Sequence, residues 1–505
     1  MYLANRIGVG LGALVVLSAA AVACGPKSND NDVTPPGQTP DSGTEPDSGG
    51  GGEADSGTAE LPQPVFCPES NPFSPKNANS VLVNDVVLKE DQTWTADKVY
   101  LIGDDFKIQG HKLTVEAGTT ICLYQKGRIF VGQGIDPGEI HLNGTKGKPI
   151  VITAPASASD PTKPDVFHRG IQFDTYQAST LSNVHIWYGG PGGGSASWAF
   201  ELTNMSAGTP DPKKPLLVDH LVVGAVQSKG IRVGTDLGIA DGSSIQFTGF
   251  APPDSSGPAL DAVAELDVGA SKSFAKAWNM AGSTIPEGAK HVNLKIRQSE
   301  GKIQTDTDIV DFGLPYVWRN ALIMQVSGAQ DDPVGPTLTI HEGVTLKMSG
   351  ALIVGGTSGT ANGNLVIAGT AAKPVVITST AEAPSAGDWE GLYFVTDHYS
   401  TTKTKIDHAQ ILYAGVDNSN PQQVNRHVGR CGTNFVGAIM ITGSGGTQYD
   451  GPSITNTKIA HSKSDGIVSD ANNSGGFCKT DYSAAGLNVT LEDIAGQQLR
   501  NGTCM

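Results

Sequence analysis

Helical periodicity is what this chain most lacks. No long segment repeats apolar residues at the spacing of an amphipathic helix, so a helical architecture is excluded; only 259–266 and 270–281 read as short helices. Charge is also scarce, at 17% of residues, and its balance is acidic, with 34 Lys and Arg against 50 Asp and Glu. An acidic chain without clustered Lys and Arg does not suit nucleic acid, whose phosphates need them. Beyond the N-terminus no run reaches the roughly 18 apolar residues of a membrane-spanning helix. The absence of Cys-x-x-Cys leaves a zinc or thioredoxin-type site without support, and neither Gly-x-Ser-x-Gly nor His-Glu-x-x-His occurs. No EF-hand or Gly-Gly-x-Gly-x-Asp run is present, so no metal or cofactor is expected. Calcium is the one ion that the loop acids Asp236, Asp241, Asp331, Asp332, Asp465 and Asp470 could serve, solvated turns being their default role.

Glycine, by contrast, is plentiful: 64 of 505 residues, nearly twice the usual share of about 7%. Much of it sits in a long internal repeat. Residues 113–153 read LTVEAGTTICLYQKGRIFVGQGIDPGEIHLNGTKGKPIVIT, and residues 338–378 read LTIHEGVTLKMSGALIVGGTSGTANGNLVIAGTAAKPVVIT. Leu113 maps to Leu338 and Pro149 to Pro374 at an offset of 225, while Gly127 maps to Gly350 at 223. The slip and recovery are those of fixed strands joined by loops of unequal length. The match continues with 180–188 on 405–413 at 225, and with Ile231 on Ile467 at 236. Two halves follow, 65–250 and 291–505, with a connecting segment at 251–290.

Within each half the chain reads as short strands, at 81–88, 99–102, 112–115, 121–124, 128–131, 139–142 and 149–153, mostly divided by Gly, Asn, Asp or Pro. One pattern recurs, at Leu181-Ser-Asn183, Val218-Asp-His220, Ile406-Asp-His408 and Ile454-Thr-Asn456, each followed three residues later by Ile or Val. It resembles a coil of the right-handed parallel β-helix, in which apolar residues fill the bore and a polar residue at one tight turn stacks on its neighbour. Asn183, His220, His408 and Asn456 would form that ladder, since such a turn needs a left-handed backbone. The repeat stretch, with Lys-Pro-[Ile/Val]-Val-Ile-Thr and Trp389-Glu-Gly-Leu-Tyr-Phe394, is similar to exported bacterial β-helix proteins of the pectin-lyase-like superfamily. The resemblance implies an all-β solenoid of two tandem halves. A two-domain β-sandwich is the rival; continuous apolar runs rather than strict alternation favour parallel sheets.

The N-terminus carries Arg6, an apolar run at 7–22, and the small residues Ala21-Val22-Ala23 before Cys24. This is a cleavable targeting segment, 1–23, and it resembles the lipobox of bacterial lipoproteins. The resemblance implies a lipidated Cys24, a membrane partner through that lipid, and a place in the cell envelope, at the outer membrane of a Gram-negative bacterium. An ordinary secretory signal is the alternative. Residues 24–64 are rich in Pro, Gly, Ser and Asp and too poor in apolar groups to offset the entropy of ordering, which makes them a disordered acidic tether. Export favours disulfides among Cys67, Cys122, Cys431, Cys478 and Cys504. Cys431–Cys478 is the preferred pair and Cys478–Cys504 the alternative; five is odd, so at least one stays free.

The superfamily includes lyases with an Asp-His pair in an apolar strand, and Asp219-His220 and Asp407-His408 fit loosely. Both His residues, however, hold the ladder position that Asn183 and Asn456 hold elsewhere. Asp219 and His220 are therefore weak catalytic candidates, and no accompanying Arg-x-Pro-x-x-Arg occurs. Gly103-Asp104-Asp105 with Gly110-His111 lacks the order of a polygalacturonase and reads as a loop of solvated carboxylates. Trp187, Tyr188, Trp198, Tyr393, Phe394 and Tyr413 are candidates for a sugar platform, with core packing the commoner fate. The expected role is a non-enzymatic structural or binding module with a carbohydrate or protein ligand; a polysaccharide lyase or glycoside hydrolase on the same fold is the alternative.

Overall fold

The computed structural model describes residues 62–500, except 203–215, 234–243, 250–261, 268–290, 417–427, 470–479 and several segments of one to seven residues. Cys24 and nearly all of the acidic segment lie outside the described residues, as do Cys431, Cys478 and Cys504, so neither preferred cysteine pair falls within them. The disulfide that is described joins Cys67 to Cys122 across 55 residues.

Among the described residues there is no α-helix, and every ladder is parallel except one short hairpin, Val428–Arg430 with Thr433–Phe435. The chain is a parallel β-helix. Alternate residues of each strand point into one bore, which is why the apolar pattern of period two appears on every face. In the first copy Leu113, Val115, Ile121, Leu123, Ile129 and Val131 fill it. Leu338, Ile340, Leu346, Met348, Leu352 and Val354 fill it in the second copy, all fully buried. One continuous apolar core runs from Leu88 to Tyr482. At about 1.5–3 kcal/mol for each buried Leu, Ile or Val, this bore is the main stabilising feature. The N-terminal end is closed by a stack of Trp94 on Tyr100 (4.2 Å between ring centroids) and on Phe106 (5.5 Å).

Of the first expected helix, 259–266, the described residues 262–266 are not helical. Ala262–Asp267 is a strand, paired on one side with Ile231–Val233 and on the other with His291–Lys295. Two waiting strand edges satisfy its backbone groups, and that outweighs the modest helix propensity of Ala, Leu and Glu. The second expected helix, 270–281, lies outside the described residues.

One sheet of 13 strands runs the length of the solenoid, from Asp105–Ile108 to Thr490–Ile494. In the first copy it holds Arg128–Val131, Ile171–Phe173, Phe200–Leu202 and Ile231–Val233. In the second it holds Thr345–Met348, Val375–Ser379, Ala409–Leu412 and Lys458–Ser462. These are not equivalent strands. Arg128–Val131 corresponds by sequence to Ala351–Val354, and Thr345–Met348 corresponds to Thr120–Leu123. The two copies therefore stack with a shift of one face, and the face continuing Arg128–Val131 in sequence terms is a separate 7-stranded sheet.

Candidate functional site

The long sheet turns an uncommon row of side chains outward in the first copy. Register aligns Lys107, Phe130, Gln172, Glu201 and Arg232 on five adjacent strands, with Asp105 beside Arg128. Each sits between two bore residues, such as Ile171 and Phe173 around Gln172, so strand alternation alone forces it outward. Arg128 grips Asp105 with two bonds, Nε to Oδ1 at 3.2 Å and Nη2 to Oδ2 at 2.8 Å, and donates from Nη1 to Gln172 Oε1 at 2.6 Å. Its guanidinium lies 4.8 Å from the Phe130 ring centroid. Arg169 Nη1 donates to the same Asp105 carboxylate at 3.1 Å, and Arg232 Nη1 donates to Glu201 Oε1 at 2.9 Å. Glu201 is only 3% exposed. Removing a carboxylate this far from water is costly unless a cation pairs with it, and Arg232 does so.

Asp105 corrects an expectation. It is not a solvated loop carboxylate but a half-buried strand residue shared by two arginines.

The second copy handles the equivalent positions differently. Ile353, Tyr393, Met440 and Val468 are in register on its own sheet. Met440 and Val468 are fully buried with Val436, and Phe435 of the hairpin packs against them. By sequence equivalence Tyr393 stands for Gln172 and Val468 for Arg232, and register places Met440 between Tyr393 and Val468 as it places Glu201 between Gln172 and Arg232. The row closes at Arg500, which bonds the buried Asp465 carboxylate and lies 4.1 Å from the Phe435 ring centroid.

Asn183, His220, His408 and Asn456 all have left-handed backbones, with φ of 46°, 55°, 49° and 47°. They sit at the corner between two faces, and Asn488 extends the set at 53°. The second-copy members are linked: Asn488 Nδ2 donates to Asn456 Oδ1 at 2.9 Å, and Asn456 Nδ2 to Asp407 Oδ1 at 2.9 Å. His408 Nδ1 lies 3.0 Å from Asp407 Oδ1, in ion-pair contact rather than at hydrogen-bond geometry. Hydrogen bonds from Asn456 and Thr455, together with His408, outweigh burial and hold the Asp407 carboxyl below the usual range. Glycine is needed beneath the corner. A Cβ on Gly144 would lie 2.3 Å from the Asn183 carbonyl oxygen, and one on Gly369 2.1 Å from that of His408.

Asp219 and His220 are bonded to each other, with Ser182 Oγ donating to Asp219 at 3.3 Å, and the His220 side chain is 71% exposed. They are not in the acid–arginine row. A second corner, five residues on, was not visible in the sequence: Tyr188, Ala225, Tyr413, His461 and Asp493 also have left-handed backbones. Tyr413 stacks on His461 at 4.8 Å, and His461 Nδ1 pairs with Asp493 at 2.7 Å. Apart from Tyr188 and Tyr413 their side chains share no residue type, so no single pattern announced them.

Of the expected platform aromatics, Trp187, Tyr188, Trp198 and Phe394 are buried, and Tyr393 and Tyr413 are half-buried. Asp332 accepts the Val334 amide at 3.0 Å, which lowers its pKa, and Asp465 serves Arg500. Asp236, Asp241, Asp331 and Asp470 lie outside the described residues. Among the described residues no group of three or more His, Cys, Asp or Glu could hold a metal.

His168 and Trp389 are an equivalent pair with one task. His168 Nε2 donates to the Trp187 carbonyl at 2.8 Å while its Nδ1 accepts from the Gly170 amide at 2.9 Å. Trp389 Nε1 donates to the Leu412 carbonyl at 2.8 Å. Complete burial pushes His168 down to about 4, so it is the neutral tautomer that fits this role.

Residues 317–423, covering most of the second copy's first coils, match a family model described as a pectate-lyase like β-helix domain. No curated protein and no solved structure matches the chain. Over that span the chain is similar to the pectate-lyase-like β-helix domains, and the match supports a β-helix module.

Proposed function

We propose that this chain is an exported β-helix module, anchored through a lipid on Cys24, that binds a ligand without transforming it. The observation that carries the binding role is the difference between the copies: Gln172, Glu201 and Arg232 stand where Tyr393, Met440 and Val468 stand. A buried ion pair is often no more stabilising than apolar side chains of similar volume, and frequently less so by about 1–4 kcal/mol. The fold accepts apolar residues at those positions, so the charged row is held for another purpose. Three guanidinium groups on one face of an otherwise acidic protein gather positive charge there, which suits carboxylate-bearing glycans. A general acid or base must be able to exchange a proton with substrate. Asp105 and Glu201 are instead engaged by arginines, which favours binding over turnover.

The test is incubation of the purified protein with a panel of acidic polysaccharides, scoring retention and product release separately. Retention that weakens in Arg232→Met, with no product, is expected. Turnover that disappears in Asp219→Asn or His220→Ala would establish the enzymatic alternative. For the anchor, Cys24→Ser is expected to move the protein out of the membrane fraction; continued membrane association would contradict lipidation.

A further inference from the structure

We infer that residues 65–69 form a disulfide-closed strap that sets where the N-terminal segment leaves the solenoid, and that a dithiol opens the strap without unfolding the solenoid. The strap lies across the outer side of five successive strands, Ser80–Leu82, Val99–Ile102, Thr120–Leu123, Ile150–Thr153 and Thr180–Trp187. It runs backward over them. The Phe66 ring stacks on Tyr188, with centroids 4.6 Å apart and planes 3° from parallel. The Val65 carbonyl accepts from Thr153 Oγ1, and the Cys67 amide donates to the Ala154 carbonyl at 2.9 Å. Cys67 is then bonded to Cys122, and Tyr124 Oη donates to the Glu69 carbonyl at 3.1 Å. The Glu69 carboxylate accepts the Lys76 amide at 3.0 Å and Ser80 Oγ at 2.9 Å, which joins the strap to the first strand. The chain therefore arrives beside Tyr188, about 19 Å along the axis from its own first strand, at about 4.8 Å per strand.

The seat is particular to the first copy. In the second copy Tyr413 stacks on His461 from the next coil. The first-copy counterpart of His461 is Ala225, which has no ring, and Phe66 supplies it from the strap. Without the disulfide, the strap keeps the Phe66 stack, a few hydrogen bonds and two small apolar clusters around Phe66 and Cys67, whereas the strands beneath are held by the continuous bore. The strap thus belongs to the least stable part of the structure and can open by itself. Opening is a two-electron exchange. A dithiol loses two electrons and two protons and closes to its own disulfide; the Sγ–Sγ bond breaks, and Cys67 and Cys122 each take up one hydrogen. Release of residues 65–69 would then lengthen the tether by up to about 17 Å, at roughly 3.3–3.6 Å per residue. That consequence rests on residues 24–64 acting as a tether; the strap itself does not.

The test is limited chymotrypsin cleavage of the full chain, with and without dithiothreitol, mapping the cut sites. The same digest on a Cys67→Ser/Cys122→Ser variant without reductant separates this bond from the other cysteines. At least tenfold faster cutting at Phe66 is expected in both opened forms, with Phe106, Phe173 and Phe247 in the bore still protected and the far-UV β-sheet signal unchanged. Equal cutting at Phe66 in the closed and opened forms would overturn the proposal, as would loss of protection at the bore sites together with Phe66. Membrane release of Cys24→Ser reports on the anchor alone, so the two readings fail separately.

Discussion

The two copies of the repeat agree inside the bore and disagree on one outer face. Inside, Ile129 and Leu352, or Phe173 and Phe394, do the same work with the same kind of side chain. Outside, Glu201 and Arg232 form an ion pair where Met440 and Val468 pack against a hairpin. Stacking acts on every coil, so it conserves chemistry between copies. A ligand needs only one site, so it does not. A duplicated chain thus contains its own control: the second copy dispenses with the costly pair at the Glu201 and Arg232 positions, so the fold does not require it there, although that copy keeps a buried pair of its own between Asp465 and Arg500.

The first way to break this comparison is to remove half of the pair. Glu201→Ala leaves the Arg232 guanidinium without its buried partner and should cost about 3–5 kcal/mol, read as a lower urea midpoint at unchanged slope. A loss under about 1 kcal/mol would mean that the pair is effectively solvated.

The second compares His168 with Trp389. The pKa of His168 falls on folding, so the unfolded chain takes up a proton that the native state refuses. Its stabilisation is complete above about pH 6.5 and is lost as the pH falls through about 4. The difference amounts to about 3 kcal/mol over that window, at about 1.4 kcal/mol per pH unit. His168→Gln should flatten the stability profile between pH 6.5 and 4, even if it lowers stability overall. Trp389, doing the same task without a titrating group, adds no slope. An unchanged profile in the variant would contradict the assignment.

The third compares ladder positions. Asn456→Ala places a side chain with no backbone-bonding group in a left-handed turn and removes the bond to Asp407, for an expected loss of about 1–2 kcal/mol by thermal melt. His220→Gly, at an exposed corner, should change stability by less than about 1 kcal/mol, in the stabilising direction, because glycine takes this backbone freely. A large loss there would show that the His220 side chain holds the corner.

Much of the fold was legible because each coil repeats one physical demand. The bore needs period-two apolar residues, and strands such as Val99–Ile102 and Arg128–Val131 appear at the positions where that pattern placed them. The strand Ala262–Asp267 was misread because its Ala, Glu and Leu favour a helix locally, and only neighbouring strand edges decide otherwise. The acid–arginine row was missed for a different reason. Its neighbouring members lie 23 to 42 residues apart, as 130 − 107 and 172 − 130 show, and only coil register brings them together. The signal was present in part: aligning the copies sets Arg232 against Val468, whereas Glu201 meets Met440 only through coil register. Asp219-His220 attracted attention because its members are adjacent in sequence, yet it lies at a solvent-exposed corner.

The most direct measurement is equilibrium urea unfolding of the double variant Glu201→Met/Arg232→Val, which gives the first copy the chemistry of the second. If the charged row serves a ligand rather than the fold, the double variant is as stable as the native chain or more so, by up to about 4 kcal/mol, while each single truncation is destabilised. A double variant destabilised as much as Glu201→Ala would show that the row is structural and would contradict the account.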